Sequence, residues 1–256
     1  MSRRWPAPLA ALVGLGVLVS AAPATAGAPA APLHPNLATR RPATLSLEER
    51  PGGRRFLHFA NTVENVGIGP FELDPRKEDC DGDEDLENDR TAYQIVYLDD
   101  GDGVFEPADD TSMAETAVAC FRFHEEHGHW HVDGFARYRL RSNRTGEVVA
   151  RRSKVSFCAV DSVRKRPDLP GSPVAGAYRS CEADVTQGIS IGWADVYSAF
   201  IPGQSLVITA APPGRYCLGS TADPRNVFLE TDDGDNRTGV PLRLRRHSLR
   251  RLSGRC

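Results

Sequence analysis

The chain has 256 residues, with 31 lysines and arginines against 34 aspartates and glutamates and a formal net charge of −3. That balance excludes a general nucleic-acid binder, whose electrostatic footprint is basic. The length suits one large domain with a sizeable core.

In chain order, residues 1–26 read as a secretory signal. Arg3 and Arg4 form the charged start, Leu9 to Val19 is an apolar run too short to span a bilayer as a helix, and Ala24-Thr25-Ala26 is a small-residue cleavage site. Ser2-Arg3-Arg4 also suits a twin-arginine export signal, and the start alone does not choose between the two routes. Cleavage would leave 29 basic against 34 acidic residues, a net of −5, and no membrane anchor. Residues 27–35 are rich in Ala and Pro and read as a flexible leader, followed by a single domain over 36–256.

Two-residue alternation dominates that domain. Leu57, Phe59 and Val63 share one parity in the first clear strand, and Tyr93 to Leu98 reads as another. Ala136, Tyr138 and Leu140 alternate with Arg137, Arg139 and Arg141. Further strands are expected at Glu147 to Arg151, Val155 to Val160, Leu206 to Ala210, Tyr216 to Gly219 and Val227 to Thr231. Val240, Leu242 and Leu244 close the series. Turn signals such as Asp81-Gly82, Asp102-Gly103 and Pro213-Gly214 separate them. The pattern predicts an all-β fold, a sandwich-like core with long irregular loops and few short helices. Most of the 42 residues between Lys154 and Tyr197 read as irregular, so covalent ties are expected there. The six cysteines, an even number in a chain with an export signal, imply up to three disulfides.

Glu78 to Asp89 carries eight acids in twelve residues, and Asp99 to Phe105 reads as an acidic turn with some calcium-loop character. The latter lacks the acid from which an EF-hand loop starts. The tail from Arg243 to Cys256 has six arginines and reads as a strand edge and a solvated end.

Chemistry concentrates in His124-Glu125-Glu126-His127-Gly128-His129-Trp130-His131, which holds four of the seven histidines. On a strand, His127, His129 and His131 would share one face. Three imidazoles without a thiolate suit copper or zinc better than magnesium or calcium. No CxxC spacing exists to build a thiolate zinc site. Lysine is scarce, with only Lys77, Lys154 and Lys165, so a lysine at a special position stands out.

Five segments follow the histidines in order: Ser153-Lys154-Val155-Ser156-Phe157-Cys158, Thr186-Gln187-Gly188-Ile189-Ser190, Gly192-Trp193-Ala194-Asp195-Val196-Tyr197, Pro213-Gly214-Arg215-Tyr216, and Glu230-Thr231-Asp232-Asp233-Gly234-Asp235-Asn236. Together they resemble the catalytic domain of the lysyl oxidase family, from about Asn36 to about Asn236. The resemblance implies a secreted copper amine oxidase that converts primary amines, including lysine in peptides or proteins, to aldehydes. Dioxygen would be consumed, with hydrogen peroxide and ammonia released. It makes His127, His129 and His131 the copper ligands, with His124 beside them. It makes Lys154 and Tyr197 the precursors of a lysine tyrosylquinone. The chemistry agrees: a phenol near copper and dioxygen can be oxidised to a quinone, and an uncharged lysine can add to the ring.

The resemblance further pairs Cys158 with Cys181, leaving Cys80–Cys120 and Cys217–Cys256 as the simplest remaining bridges. It implies a calcium site from Glu230, Asp232, Asp235 and Asn236 with Asn36 and the Leu37 carbonyl. Asn36 stands where the family usually has aspartate. Glu126 stands where animal members have a cysteine, and Gly-Trp-Ala-Asp replaces their Gly-Cys-Tyr-Asp. Asp133 follows the histidines closely and is a candidate base. Two other readings fit the histidines alone: a secreted copper- or zinc-binding β-domain without turnover, and a metal-dependent hydrolase, which the missing HExxH motif disfavours.

Overall fold

The computed structural model describes residues 30–256 except Asp85 and Asn88, and leaves the side chains of Met113, Ala114, Ser153, Lys154 and Val155 undescribed. The expected signal over 1–26 lies outside the described residues. Among the described residues, sixteen strands run in chain order: β1 (Pro32–Leu33), β2 (Leu37–Thr39), β3 (Ala43–Arg50), β4 (Arg54–Asn65), β5 (Phe71–Arg76), β6 (Asp89–Leu98), β7 (Thr111–His124) and β8 (His129–Ser142). They continue with β9 (Val148–Phe157), β10 (Val163–Arg164), β11 (Gln187–Ile189), β12 (Trp193–Tyr197), β13 (Ser205–Val207), β14 (Gly214–Ala222), β15 (Arg237–Leu244) and β16 (Leu249–Arg251).

The fold is all-β. Helical structure among the described residues is confined to two three-residue 3-10 turns, Pro51–Gly53 and Asp233–Asp235. A ten-stranded sheet runs β11-β5-β6-β7-β8-β14-β15-β16, with β1 on β6 and β9 on β8. A six-stranded sheet runs β10-β12-β4-β13, with β2 and β3 also on β4. Every pairing is antiparallel, so one face of each sheet can be apolar and the other wet. Leu57, Phe59 and Val63 of β4 meet Tyr138 and Leu140 of β8 in one core, and the Phe59 and Tyr138 rings touch edge to face at 4.7 Å.

Three expectations change. Within the expected leader, Pro32 and Leu33 pair with Leu98 and Tyr97, and Leu33 is buried, so the ordered fold begins before Asn36. The strands expected at Glu147 to Arg151 and Val155 to Val160 are one strand, β9. Its register on β8 shifts between the Tyr138–Arg152 and Ala136–Val155 pairs, so Ser153 and Lys154 occupy a bulge. Val227 to Thr231 is not a strand. Its backbone amides are taken locally and by side chains: Phe228 N–H donates to Asp223 and Leu229 N–H to Gln94, while Thr231 N–H reaches the Pro35 carbonyl.

Candidate histidine metal centre

The histidine segment is a hairpin rather than one strand. β7 ends at His124, β8 begins at His129, and the two are cross-strand partners. Residues 125–128 turn between them, with His127 N–H and Gly128 N–H both donating to the His124 carbonyl. Gly128 has φ of 68°, a left-handed conformation that glycine adopts without a Cβ penalty. Cross-strand partners share a sheet face, and so do His129 and His131, two residues apart on β8. The turn then folds His127 over that face.

All four rings gather. His124 stacks on His127 at 4.3 Å between centroids, His124 lies 4.7 Å from His131, and His129 lies 4.8 Å from His131. His124, His127 and His131 each offer a nitrogen within 4.8 Å of the others, whereas the His129 nitrogen sits beside the sulfurs of Cys158 and Cys181. The family resemblance sets His124 beside the ligands; strand spacing alone does not show that a turn brings β7 back onto β8.

The outer nitrogens are already held. His127 Nε2 donates to the Pro202 carbonyl at 3.3 Å, and His131 Nδ1 meets Ser156 Oγ at 3.2 Å. His127 Nδ1 and His131 Nε2 face each other at 3.3 Å, and His124 Nδ1 is buried without a partner. With His131 Nδ1–H donating to Ser156, both facing nitrogens present lone pairs, the arrangement a metal ion resolves. Burial lowers His131 to about 3, with the neighbouring histidines adding to the effect, and burial also lowers His124 and His129. Those three rings are therefore neutral near pH 7 and ready to ligate without losing a proton.

Tyr197 enters from the other sheet. β12 carries it against Asn61 of β4, and its hydroxyl accepts the Cys158 N–H at 2.7 Å while donating to the Cys158 carbonyl at 3.2 Å. Its ring stands edge-on to Phe157 at 3.9 Å. Burial raises the phenol far above its ordinary range, with nearby Asp195 adding to the effect, so the hydroxyl stays protonated. A cavity of about 110 Å³ is shared by Tyr197, His124, His127 and His131, together with Arg152 and Ser156 of β9. Lys154 lies on β9 between those last two residues, and Cys158, which cradles the tyrosine hydroxyl, is four residues further along.

Other parts of the sequence act as ties. Disulfides join Cys80 to Cys120, Cys158 to Cys181 and Cys217 to Cys256. The Cys181 carbonyl accepts the N–H of Trp130, which lies between His129 and His131. Buried Gln187 donates to the Trp130 carbonyl and accepts from Ala159 N–H. The Thr186-Gln187-Gly188 segment thus clamps the histidine strand to the continuation of β9, a role that its order in the chain did not reveal. Replacing Cys158 and Cys181 together by serine opens a 23-residue separation. Urea unfolding should then show a loss of about 3 kcal/mol from released chain entropy; an unchanged midpoint and slope would contradict the tie.

Asp133, the candidate base, is placed elsewhere. It accepts from Arg122 at 3.0 Å and borders a depression lined by Asp81 and Arg225, not the histidine cavities. The local reason is Gly134, whose φ of 76° marks the register shift after Val132.

The residues around Glu230 also converge. Glu230 accepts from Leu37 N–H at 2.5 Å and from Asn236 Nδ2 at 2.9 Å, and Asn36 Nδ2 meets Asp235 at 3.4 Å. Asn36 Oδ1, Asp235 Oδ1 and Asn236 Oδ1 are buried without partners. Asp232 accepts the Gly234 N–H and starts the 3-10 turn. Burial pushes the Glu230 carboxyl up to about 8.

A sequence model of the lysyl oxidase family matches residues 101–252. The chain is 35% identical over 117 residues to human lysyl oxidase homolog 1, covering 45% of this chain and 19% of that protein. It is 33% identical over 130 residues to chicken protein-lysine 6-oxidase, covering 50% of this chain and 29% of the relative. With chicken lysyl oxidase homolog 2 it shares 32% identity over 125 residues, 44% of this chain and 14% of the relative. The matched segment therefore spans less than a third of each of these relatives.

Proposed function

From a chain that belongs to the lysyl oxidase family, we propose a secreted, copper-dependent amine oxidase that builds its own quinone from Lys154 and Tyr197. The observation that carries this reading is the shared cavity: the histidine cluster and the half-buried Tyr197 ring face one space, and the backbone of β9 passes it at Lys154. Copper would be held by His127, His129 and His131, with His124 beside them; His129 shares the strand face of His131. The donor set suits the metal: imidazoles, with outer nitrogens held by Pro202 and Ser156 and inner nitrogens left facing. When formed, the quinone would supply the electrophile and two-electron oxidant for the amine, with dioxygen reoxidising its reduced form.

The protein's own residues prepare the substrate side. A second cavity of about 390 Å³ also borders Tyr197 and is lined by His127, His129, Ser162, Asp195 and Pro202. Exposed Glu126 stands at its margin, so a protonated amine meets an anionic entrance. Primary amines, including lysine in peptides or proteins, are the proposed substrates, with aldehyde, ammonia and hydrogen peroxide as products. Three disulfides fit an oxidising compartment, in line with the expected signal. Phenylhydrazine titration of copper-loaded, aerobically matured protein tests the reading: one reactive carbonyl per chain is expected, and none would refute the quinone.

Calcium is proposed at Glu230, Asp232, Asp235 and Asn236 with Asn36 and Leu37, because three buried oxygens there have no partner. The pH consequence has a definite sign. The Glu230 carboxyl rises from 4.5 to about 8 on folding, so its contribution is whole below its unfolded value and is lost as pH rises through about 8. In chelator, the melting temperature should fall from about pH 5 to about pH 9, and calcium should restore it at the alkaline end. A flat profile without a calcium effect would contradict the site.

A further inference from the structure

The wall of the 390 Å³ cavity contains one acid that the proposed chemistry has not yet used, Asp195. β12 places it two residues before Tyr197, and alternate residues of a strand share a face. The side chain is almost completely buried, with the residue 2% exposed. Ser162 Oγ donates to Oδ1 at 3.2 Å, and the same hydroxyl accepts the Val196 N–H at 3.2 Å, so the serine proton is committed to the aspartate. Oδ2 is buried and has no partner at all. An orphaned carboxylate oxygen costs stability, and such a cost is expected where a group is kept for chemistry.

The neighbouring acids do not compete for this place. Asp161 is consumed by the Tyr178 and Ser190 amides and the Ser190 hydroxyl. Asp133 is paired with Arg122. Glu126 lines the same cavity but is exposed to solvent, with no buried carboxylate oxygen held toward a substrate.

Resting on the amine oxidase reading above, we infer that Asp195 is the proton acceptor for the α-carbon of the amine substrate, through Oδ2. The α C–H bond breaks, its proton forms an O–H bond on Oδ2, and its electron pair passes to the quinone, the oxidant that the proposed activity supplies. Burial, opposed in part by the Ser162 hydrogen bond and reinforced by Asp161, holds the carboxyl well above the ordinary carboxylate range. That makes it a stronger base than a solvated aspartate, and a cationic substrate brought opposite favours its ionised form.

Asp195→Asn tests the assignment with two readouts. Infrared spectra of metal-free protein at neutral pH should show a protonated-carboxyl band that the variant lacks. After copper loading and maturation, the variant should titrate with phenylhydrazine like the wild type but lose at least a hundredfold in kcat/KM for a primary amine. Turnover within threefold of wild type overturns the inference. So does a variant that cannot form the reactive carbonyl, since Asp195 would then serve cofactor assembly. If the wild type has neither carbonyl nor turnover, the amine oxidase reading fails and takes this assignment with it. Should Asp195→Asn not fold, Ser162→Ala replaces it: a fivefold or larger change in kcat/KM at full phenylhydrazine titre is expected, and unchanged kinetics overturn the inference.

Discussion

Lys154→Arg should keep copper and lose amine oxidation, with kcat/KM falling by roughly a thousandfold or more. Arginine retains charge and length but stays protonated, so it has no free amine to add to an oxidised ring. Copper should be unaffected, because its proposed ligands come from the β7–β8 hairpin and not from β9. The bulge at Ser153 and Lys154 leaves β9 paired with β8 on both sides, so a substitution there does not break the strand. The measurement is metal content together with peroxide release. Bound copper with no peroxide is expected; retained peroxide release would exclude the proposed cofactor.

The second large effect is expected at the metal. His131→Ala should lower copper affinity by on the order of a hundredfold or more, since loss of a group that merely orients a ligand already costs ten- to a hundredfold. His131 is 2% exposed, and its two ring nitrogens meet Ser156 and His127, so removal leaves both without that partner. His127→Ala should behave similarly, because its Nδ1 faces the same point. Competition with a chromogenic copper chelator reads the affinity. A His131 variant that binds copper as tightly as the wild type would move the metal out of this cluster.

The sequence carried the class of the fold, and the reason is physical. Alternation in segments such as Ala136 to Arg141 reflects a strand with one buried face, and Tyr138 and Leu140 are fully buried as that pattern requires. It also carried the chemical inventory, because histidines, a scarce lysine and a late tyrosine are identities rather than geometries. What it could not carry was the turn. Spacing of i, i+2 and i+4 put His127 on a strand face, whereas Gly128 turns the chain and lets His124 return. Val227 to Thr231 has strand composition, but Gln94 and Asp223 satisfy its amides from elsewhere in the chain. Asp195 and Gln187 were visible only as parts of motifs. Their work depends on which strands become neighbours, here β12 beside the end of β9 and residue 187 beside Trp130.

Those neighbours converge on one covalent claim, that Lys154 and Tyr197 become a single group. Peptide mass spectrometry of copper-loaded, aerobically matured protein measures it directly. The account predicts a cross-linked species joining the peptide around Lys154 to the peptide around Tyr197, absent from protein matured without copper. If both peptides are recovered separate and unmodified from protein that holds copper at its histidines, the central claim is contradicted.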